Sequence, residues 1–414
     1  MRVLGGRADP VGPREAASGC AGEGASEAVG LLAYKGRMAY GPGTMAAKKK
    51  ADRHAVFVRR RRKAARNAAA KKVDAMLVSR PEDVGYLTGF TGHDSCLLIG
   101  KGWECLLTDG RYGEQAETEC GEIELHVRKG AMAAAIAEAL KGRRVRRLGF
   151  QSAHATVQTQ HTLAGQLPKK RLRPLTDVVM PLRTIKDAEE IRTIRKAVRV
   201  AERAFKEVFA DGADAWVGKT ERDFAAELNY RMCRLGAEGA AFDTIVAAGA
   251  HGSRPHYRPG KTKIRGNAPL LIDWGAKVDG YCSDLTRVVL IGRIPPKLRE
   301  IYEVVRRAQQ AAIAAIRPGV SGQTVNRAAS RVVEQAGHRI PHGLGHGVGR
   351  QVHEAPGMGR KIKTRLRAGM VVTVEPGIYV PGLGGVRIED DVLIRPGGSR
   401  RLSSLPRDIG AMAL

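Results

Sequence analysis

The sequence predicts an α+β protein of two domains, a smaller α/β domain over residues 69–184 and a larger α+β domain over residues 185–405. The chain has 414 residues, which is more than one hydrophobic core usually serves. Short apolar runs separated by turn signals begin near Val73, and long helices and hairpins follow Pro181. Strands mixed with helices in both parts are typical of layered domains of these classes.

Residues 1–68 precede both domains, and we expect them to form a basic, disordered extension. The segment up to about residue 45 is rich in Gly, Ala and charge, without a period that could support a packed core. A dense run of Lys and Arg residues follows from residue 48, and blocks of like charge are usually exposed to solvent. Met45 is an alternative translation start, so the sequence leaves open whether residues 1–44 are a tail or an over-extended gene model.

The first domain carries both strand and helix patterns. Two apolar runs bounded by turn signals, Met76-Leu77-Val78 and Cys96-Leu97-Leu98-Ile99, suit buried strands. Residues 132–140 then repeat apolar side chains with helical spacing. Strands and a helix in so short a stretch predict a small α/β domain that ends near Pro181.

Helix signals open the second domain. Asp187 with Glu190 three residues later is a capping-box pattern ahead of an apolar stripe. A second helix is predicted after the N-cap Thr220 and ends before Gly236, and a third begins at Pro295-Pro296. Strand-like segments lie between and after these helices, which favours an α+β domain of roughly 220 residues.

The composition excludes several classes of protein. No run approaches the ~18 apolar residues that a membrane span requires, and the N-terminus lacks the apolar core of a signal peptide. The six cysteines are scattered without a C-x-x-C pair, which argues against a disulfide framework and a zinc ribbon. We therefore expect a cytoplasmic protein with reduced thiols and no membrane contact.

The formal net charge is strongly basic, at +28. Clustered Lys and Arg can bind nucleic acid by releasing counterions from phosphate. One dense run lies between residues 48 and 72, whereas the remaining excess is scattered along the chain. An Arg-rich source proteome and a solvated basic arm account for this pattern, so specific nucleic-acid binding is not expected.

Two predicted hairpins carry facing carboxylates. In the first, strand-like runs flank Lys277-Val278-Asp279-Gly280, where Asp-Gly is a turn signal. Folding the chain about the midpoint between residues 278 and 279 places Asp273 directly opposite Asp284. Directly opposite residues share one face with Cβ atoms ~4.5–5.5 Å apart, so two like charges there are destabilising unless a cation intervenes.

The second hairpin repeats this construction. It folds about Gly382 within Pro381-Gly382-Leu383-Gly384 and sets Glu375 opposite Glu389. For either hairpin alone, solvated surface acids are the simpler explanation. Two pairs of the same construction are harder to explain in that way, so together they predict a cation site.

His346 supplies a ligand of a second type. Residues 343–349 place glycines around this imidazole, which lets the backbone approach a crowded centre. A lone histidine is usually a core or surface residue, but four nearby carboxylates make it a candidate ligand. Two divalent ions would offset the four carboxylate charges, and oxygen ligands favour Mn²⁺ or a similar ion over a thiolate-type zinc site.

At these residues the sequence resembles the metallopeptidases of the pita-bread fold, specifically Xaa-Pro aminopeptidases (aminopeptidase P) and the related Xaa-Pro dipeptidases. The resemblance covers about residues 73–405 and implies a pita-bread catalytic domain, α+β, after a creatinase-like N-terminal α/β domain. In the N-terminal domain it rests on Tyr86-Leu87-Thr88-Gly89-Phe90-Thr91-Gly92 and Thr108-Asp109-Gly110-Arg111-Tyr112. In the second domain it rests on Phe242-Asp243-Thr244-Ile245-Val246, Pro255-His256-Tyr257, Gly280-Tyr281-Cys282-Ser283-Asp284-Leu285-Thr286-Arg287, residues 342–349, Val352-His353-Glu354, Glu375-Pro376-Gly377-Ile378-Tyr379 and Arg387-Ile388-Glu389-Asp390.

The resemblance implies a complete set of metal ligands. These are Asp273, Asp284, His346, Glu375 and Glu389. Asp284 and Glu389 would bridge two divalent ions, and Glu375 would also accept a proton during the reaction. The resemblance therefore agrees with the dinuclear site that the hairpins and the glycine-flanked histidine predict.

The resemblance also implies roles for residues that are not ligands. His256 and His353 would contact the scissile region and help to stabilise the developing oxyanion. His342 would line the substrate pocket or would lie outside the metal ligands and help to orient them. Arg387 either orients Glu389 or its neighbours, or forms a purely structural ion pair.

The implied reaction is hydrolysis of the bond between an N-terminal residue and a following proline, in peptides with proline at the second position. A dipeptidase with the same metal site and different entry loops is the nearest alternative. Creatinase-type chemistry is disfavoured because all five ligands are present, and a non-catalytic relative that binds nucleic acid would be expected to lack some of them. Relatives are commonly dimers or larger, so we expect a homodimer or a larger homo-oligomer.

Overall fold

The computed structural model describes residues 45–169, 171–176 and 178–414. The helices of the N-terminal domain are α1 (Met45–Ala70), α2 (Pro81–Thr88), α3 (Gly113–Cys120), α4 (Met132–Ala139), α5 (Val157–Gln166) and α6 (Met180–Thr184). Its strands are β1 (Ala75–Val78), β2 (Ser95–Gly100), β3 (Trp103–Asp109), β4 (Glu124–Arg128), β5 (Arg147–Gln151) and β6 (Arg171–Leu175). The strands form one mixed sheet in the order β4-β3-β2-β1-β5-β6.

Both faces of this sheet are covered, which explains why its central strands are apolar at consecutive positions. Alternate side chains of a strand point to opposite faces. Met76 and Val78 accordingly join a core that includes side chains of α1 and α2, while Ala75 and Leu77 join a second core with α4 and α5. The two predicted buried strands and the predicted helix near residue 132 are confirmed.

The prediction that residues 1–68 are disordered is wrong for their last third. Residues from Met45 belong to α1, and Arg61, Ala64 and Ala68 on this helix are buried. Arg59, Arg62, Lys63 and Arg66 lie on its exposed face, so the helix is amphipathic. Alanine methyl groups make up much of its apolar face. Residues 1–44 lie outside the described residues.

The C-terminal domain follows. Its helices are α7 (Ala188–Ala210), α8 (Ala213–Trp216), α9 (Glu221–Arg234), α10 (Pro296–Ala315) and α11 (Gly322–Gln335). Its strands are β7 (Gly239–Ala240), β8 (Ile245–Ala248), β9 (Ala268–Trp274), β10 (Ala276–Val278), β11 (Tyr281–Cys282), β12 (Leu285–Ile291), β13 (Gly345–Gly347), β14 (Glu354–Met358), β15 (Val371–Val374), β16 (Gly377–Val380), β17 (Gly384–Arg387), β18 (Asp390–Arg395) and β19 (Gly398–Arg401).

Two antiparallel sheets meet in this domain. β9 lies between β8 and β12 in one sheet, and β15 lies between β13 and β18 in the other. One hydrophobic core is shared by both sheets and by α7, α9, α10 and α11. A single β-bridge between Thr286 of β12 and Glu389 connects the strands of the two sheets. Helices packed on antiparallel sheets confirm the predicted α+β architecture.

The predicted helix starts are also confirmed. Asp187 caps α7 with the full capping box to Glu190, Thr220 caps α9, and α10 begins at Pro296. Each of these caps satisfies backbone N–H groups that the first turn of a helix leaves free. Within the described residues, no helix is both long enough and apolar enough to cross a membrane.

The first acidic hairpin turns at Asp279-Gly280, as the Asp-Gly signal predicts, but its register differs from the prediction. Asp279 and Gly280 form a two-residue loop between the paired residues Val278 and Tyr281. Both loop residues have positive φ, 48° and 74°, as a type I′ turn requires. The hairpin therefore folds one residue later than predicted.

This difference changes which residues face each other. Asp273 pairs with Thr286, so the prediction that it lies directly opposite Asp284 is wrong. Asp284 lies two residues before Thr286 and is a diagonal neighbour of Asp273 instead. The two carboxylates still lie on the same side of the hairpin, because a shift of two residues preserves the face of a strand.

The register predicted for the second hairpin is confirmed. β16 and β17 pair about Gly382, with Gly377 opposite Arg387. Beyond this hairpin β15 and β18 continue in the same register, with Val374 opposite Asp390. Residues 375 and 389 lie in the short interval between these two ladders.

Candidate metal centre

The five predicted ligands lie where the two sheets of the C-terminal domain meet. Asp273 is near the end of β9, Asp284 directly precedes β12, and His346 is the central residue of β13. Glu375 directly follows β15, and Glu389 lies between β17 and β18. The bridge between the sheets and the pairing of β13 with β15 bring these distant segments together.

The distances in this cluster suit shared coordination. Asp284, His346 and Glu389 each offer a ligand atom, and these atoms all lie within 4.8 Å of one another. His346 Nε2 is 3.6 Å from Asp284 Oδ2 and 3.4 Å from Glu375 Oε1. The imidazole therefore faces carboxylates from both sheets.

The carboxylates are crowded; Asp273, Asp284 and Glu389 are buried, and Glu375 is largely buried. Burial raises the pKa of Asp284 well above its usual value, and the charge of Glu389 raises it further. Burial and the charge of Glu375 raise the pKa of Glu389 in the same way, and burial raises the pKa of Glu375 to about 7. Burial, with His353 nearby, lowers the pKa of His346 to about 4, so the imidazole is neutral near pH 7. The ring therefore does not neutralise the acids.

Two oxygen atoms without hydrogen-bond partners show whether this cluster fits a metal ion. Asp273 Oδ1 and Glu389 Oε1 are buried acceptors without a hydrogen-bond partner in the described part of the chain. A buried acceptor left unpaired costs about 1–3 kcal/mol. A divalent cation would bind such oxygens, and carboxylate oxygens with a neutral imidazole are ligands that ions such as Mn²⁺ accept. The residues fit a divalent metal.

Arg387 and Thr286 connect the acids of the cluster. Arg387 Nη2 donates to Asp273 Oδ2 at 2.6 Å, and its Nε donates to Thr286 Oγ1 at 3.1 Å. Thr286 Oγ1 in turn donates to Glu389 Oε2 at 2.7 Å. Arg387 thus contacts Asp273 directly and reaches Glu389 through one hydroxyl.

The predicted non-ligand histidines surround this cluster. The rings of His346 and His353 pack edge to face with centroids 4.3 Å apart. Burial lowers the pKa of both His342 and His353, and the exposed His256 is close enough to lower both further. His342 Nε2 lies 2.9 Å from the hydroxyl of Tyr379, to which Arg387 Nη1 donates at 2.8 Å.

Three supporting residues were missed by sequence reasoning. Thr286 is the first, and Thr373 Oγ1 is the second, since it accepts from the backbone N–H of His346 and donates to Glu375 Oε1. The third is Asp391, which is buried and accepts from the backbone N–H of Asp284 at 3.0 Å. Asp391 could have been suspected, because three consecutive acids at the start of an apolar strand are unusual. The threonines leave no such signal, since threonine is common in strands.

The fold and this acidic cluster together define a metallopeptidase of the pita-bread class. The chain belongs to metallopeptidase family M24, whose family model matches residues 192–396. The model of the creatinase/prolidase N-terminal domain matches residues 60–185. These matches confirm the predicted fold class and the metal dependence of the family.

Similar proteins carry names of two kinds. The Xaa-Pro dipeptidase of Pyrococcus furiosus is 36% identical over 341 residues, which are 81% of this chain and 95% of that protein. A solved Xaa-Pro dipeptidase from Bacillus anthracis has a TM-score of 0.83 at 30% identity and covers 86% of this chain and 100% of its own. An X-Pro aminopeptidase from Thermotoga maritima has a TM-score of 0.77 at 32% identity and covers 83% of this chain and 99% of its own.

Proposed function

We propose that this protein is a metal-dependent peptidase that hydrolyses the bond between an N-terminal residue and a following proline, as an Xaa-Pro aminopeptidase does. The observation that carries the proposal is the convergence of four carboxylates, three of them buried, and one neutral imidazole in a chain of family M24. Relatives that are 30–36% identical and named for Xaa-Pro bonds support the proline specificity.

The proposal assigns two divalent ions, Mn²⁺ by preference, to this cluster. The ligands would be Asp273, Asp284, His346, Glu375 and Glu389, with Asp284 and Glu389 shared between the ions. Bound ions of this kind lower the pKa of a water molecule and polarise a carbonyl oxygen. The unpaired oxygens of Asp273 and Glu389 support the assignment.

The side chains around the cluster would position the substrate and move its protons. Glu375, which Thr373 orients by a hydrogen bond, would accept the proton of the attacking water. His353, packed on the ring of His346, and the exposed His256 would donate to the scissile carbonyl oxygen as charge develops on it. A prolyl ring suits a buried position after the scissile bond, because its nitrogen has no N–H to leave unsatisfied.

Metal analysis combined with peptide hydrolysis tests this proposal. We expect the wild-type protein to bind Mn²⁺ and to release the first residue of Arg-Pro-Pro. Asp284→Ala should lower kcat/KM more than about 100-fold, because even the outer partners of a metal ligand contribute 10–100-fold. Asp214→Ala, which removes an exposed carboxylate in α8, is the matched control. Unchanged hydrolysis by Asp284→Ala would overturn the proposal.

A dipeptidase restricted to Xaa-Pro is the second candidate, because several relatives bear that name. It would require the same metal site and a closed pocket beyond the proline. Parallel hydrolysis of the dipeptide Gly-Pro and of Arg-Pro-Pro separates the two candidates. Cleavage of the dipeptide alone would replace the aminopeptidase proposal with the dipeptidase one. A homodimer or larger homo-oligomer is expected for both candidate functions.

A further inference from the structure

A cleft of about 630 Å³ opens beside His342 in the C-terminal domain. Two chain segments form it, one between residues 339 and 345 and the other between residues 357 and 362. Gly343, Gly357 and Gly359 line it without side chains, so much of its wall is main chain. Such a wall can hydrogen bond to an extended peptide.

Two lining residues of the cleft, His342 and Gly345, are neighbours of the candidate metal centre. His342 lines the cleft, and its Nε2 lies 2.9 Å from the hydroxyl of Tyr379. Tyr379 accepts a hydrogen bond from Arg387, which also donates to Asp273. Gly345, another lining residue, directly precedes the candidate ligand His346. A peptide bound at the metal centre could therefore extend past His342 into the cleft.

The charge of the cleft is of one sign. Arg339, Arg360 and Lys361 line it, all three are exposed, and none of its lining residues is acidic. None of these three cations forms an ion pair with a side chain in the described part of the sequence. Unpaired guanidinium and ammonium groups in a recess attract carboxylates, and arginine can bind one with two parallel hydrogen bonds.

We propose that this cleft holds the part of the substrate that follows the proline, and that Arg360 and Lys361, with Arg339, bind a carboxylate there. The inference rests on the proposed function and adds the substrate class: short peptides longer than a dipeptide that carry a negative charge beyond the proline. That charge is either the C-terminal carboxylate of a short peptide or an acidic side chain of a longer one. The cleft would thereby separate this protein from an enzyme that accepts dipeptides alone.

Hydrolysis of three peptides in the presence of Mn²⁺ distinguishes these sources of charge. The peptides are Ala-Pro-Gly-Gly as the free acid, the same peptide as its C-terminal amide, and Ala-Pro-Gly-Asp as its C-terminal amide. For the wild-type protein we expect kcat/KM to be about tenfold higher for a charged peptide than for the neutral amide, mainly through a lower KM. A preference for the free acid alone identifies the chain terminus, whereas a preference for the Asp peptide identifies the side chain.

In the double variant Arg360→Gln/Lys361→Gln this preference should disappear, so that kcat/KM for the charged peptides falls to the variant's own value for the neutral amide. Lys363→Gln, an exposed lysine that does not line the cleft, is the matched control and should keep it. Equal charge preference in the wild type and the double variant, or no preference in the wild type, would overturn the inference while leaving the proposed function intact. Failure of the wild type to hydrolyse any of the three peptides would overturn both.

Discussion

Thr286 couples the two halves of the acidic cluster. Its side chain is fully buried, it donates to Glu389 and it accepts from Arg387, which holds Asp273. A hydroxyl can do both at once because it carries one donor and two acceptor lone pairs. Groups that orient metal ligands in this way set the affinity of the site as well as its geometry.

Replacing Thr286 with valine should therefore weaken metal binding while leaving the shape of the core almost unchanged. We expect Thr286→Val to lower the affinity for Mn²⁺ by about 10–100-fold, measured by titration calorimetry. Thr108→Val is a matched control, because Thr108 is also buried and its hydroxyl donates to the backbone carbonyl of Asp94 in the N-terminal domain. Equal Mn²⁺ affinity of the two variants would contradict this role.

At the residue scale, the sequence predicted the identity of the candidate ligands more readily than the residues that contact them. Paired acids on strands that flank a turn are conspicuous, because unscreened like charges are destabilising there. The exact partner of Asp273 was not predictable from the acids alone, since the turn residues Asp279 and Gly280 shift the pairing by two positions. Thr286 was missed because a threonine hydroxyl has no charge to signal its role.

At the scale of elements, Glu354 of β14 holds the loop that follows His346. Its carboxylate accepts hydrogen bonds from Arg183 of α6 and from Lys186, and Arg183 also pairs with Asp83 of α2. A Cβ atom on Gly349 would lie 2.6 Å from Glu354 Oε2, so only glycine allows the carboxylate to sit so close to the loop. This buried network ties the N-terminal domain to the segment that carries the candidate site.

The network should make stability depend on pH in the acid range. Burial raises the pKa of Glu354, but Lys186 and Arg183 outweigh it and hold the pKa below the ordinary value of 4.5. A carboxylate whose pKa is lowered on folding stabilises the protein above its unfolded pKa, and this contribution is lost as the pH falls through the folded pKa.

Glu354→Gln tests this contribution, since it removes the charge and keeps the shape. At pH 7 the variant should lose about 3 kcal/mol of unfolding free energy, because it leaves buried cations without their partner. The difference from the wild type should shrink as the pH falls below about 4.5. Urea unfolding at several pH values measures it, with the exposed Glu334→Gln as control. A difference that stays constant with pH would contradict this account.

Helix α1 shows where element prediction failed. Its sequence between residues 59 and 66 is dominated by Arg and Lys, a pattern typical of solvated segments. The buried side uses Ala64 and Ala68, whose small methyl groups produce only a weak hydrophobic period. The helices opened by Asp187 and Thr220 were predictable, because their caps are local signals.

At the scale of the whole molecule, Arg60 connects the two domains. From α1 its guanidinium lies 2.8 Å from Asp187 and 2.9 Å from Glu190, at the start of α7. It also stacks over the ring of Tyr86, 4.0 Å from the centroid, while Tyr281 donates to Glu190. The helix that was expected to be disordered is thus anchored at the junction of both domains.

Arg60→Met should destabilise this junction, and its neighbour offers a control on the same helix. We expect Arg60→Met to lower the free energy of unfolding by about 3 kcal/mol, because it leaves the nearly buried Glu190 without its cation. Arg59→Met removes an equal charge from the exposed face and should change it by less than about 0.5 kcal/mol. Chemical denaturation measures both, and similar losses would show that Arg60 acts only through net charge.

The sequence by itself determined the α+β class, the two domains, the helix caps and the acids of the candidate metal centre, because periodicity, turn signals and paired charges are local features of the chain. Only the tertiary structure decided how these acids face one another, what holds them and where a substrate could extend. Those properties depend on contacts between distant segments, such as the hydrogen bond between Thr286 and Glu389, 103 residues apart. Local patterns do not specify such pairings, since the packing of the two sheets against one core selects them.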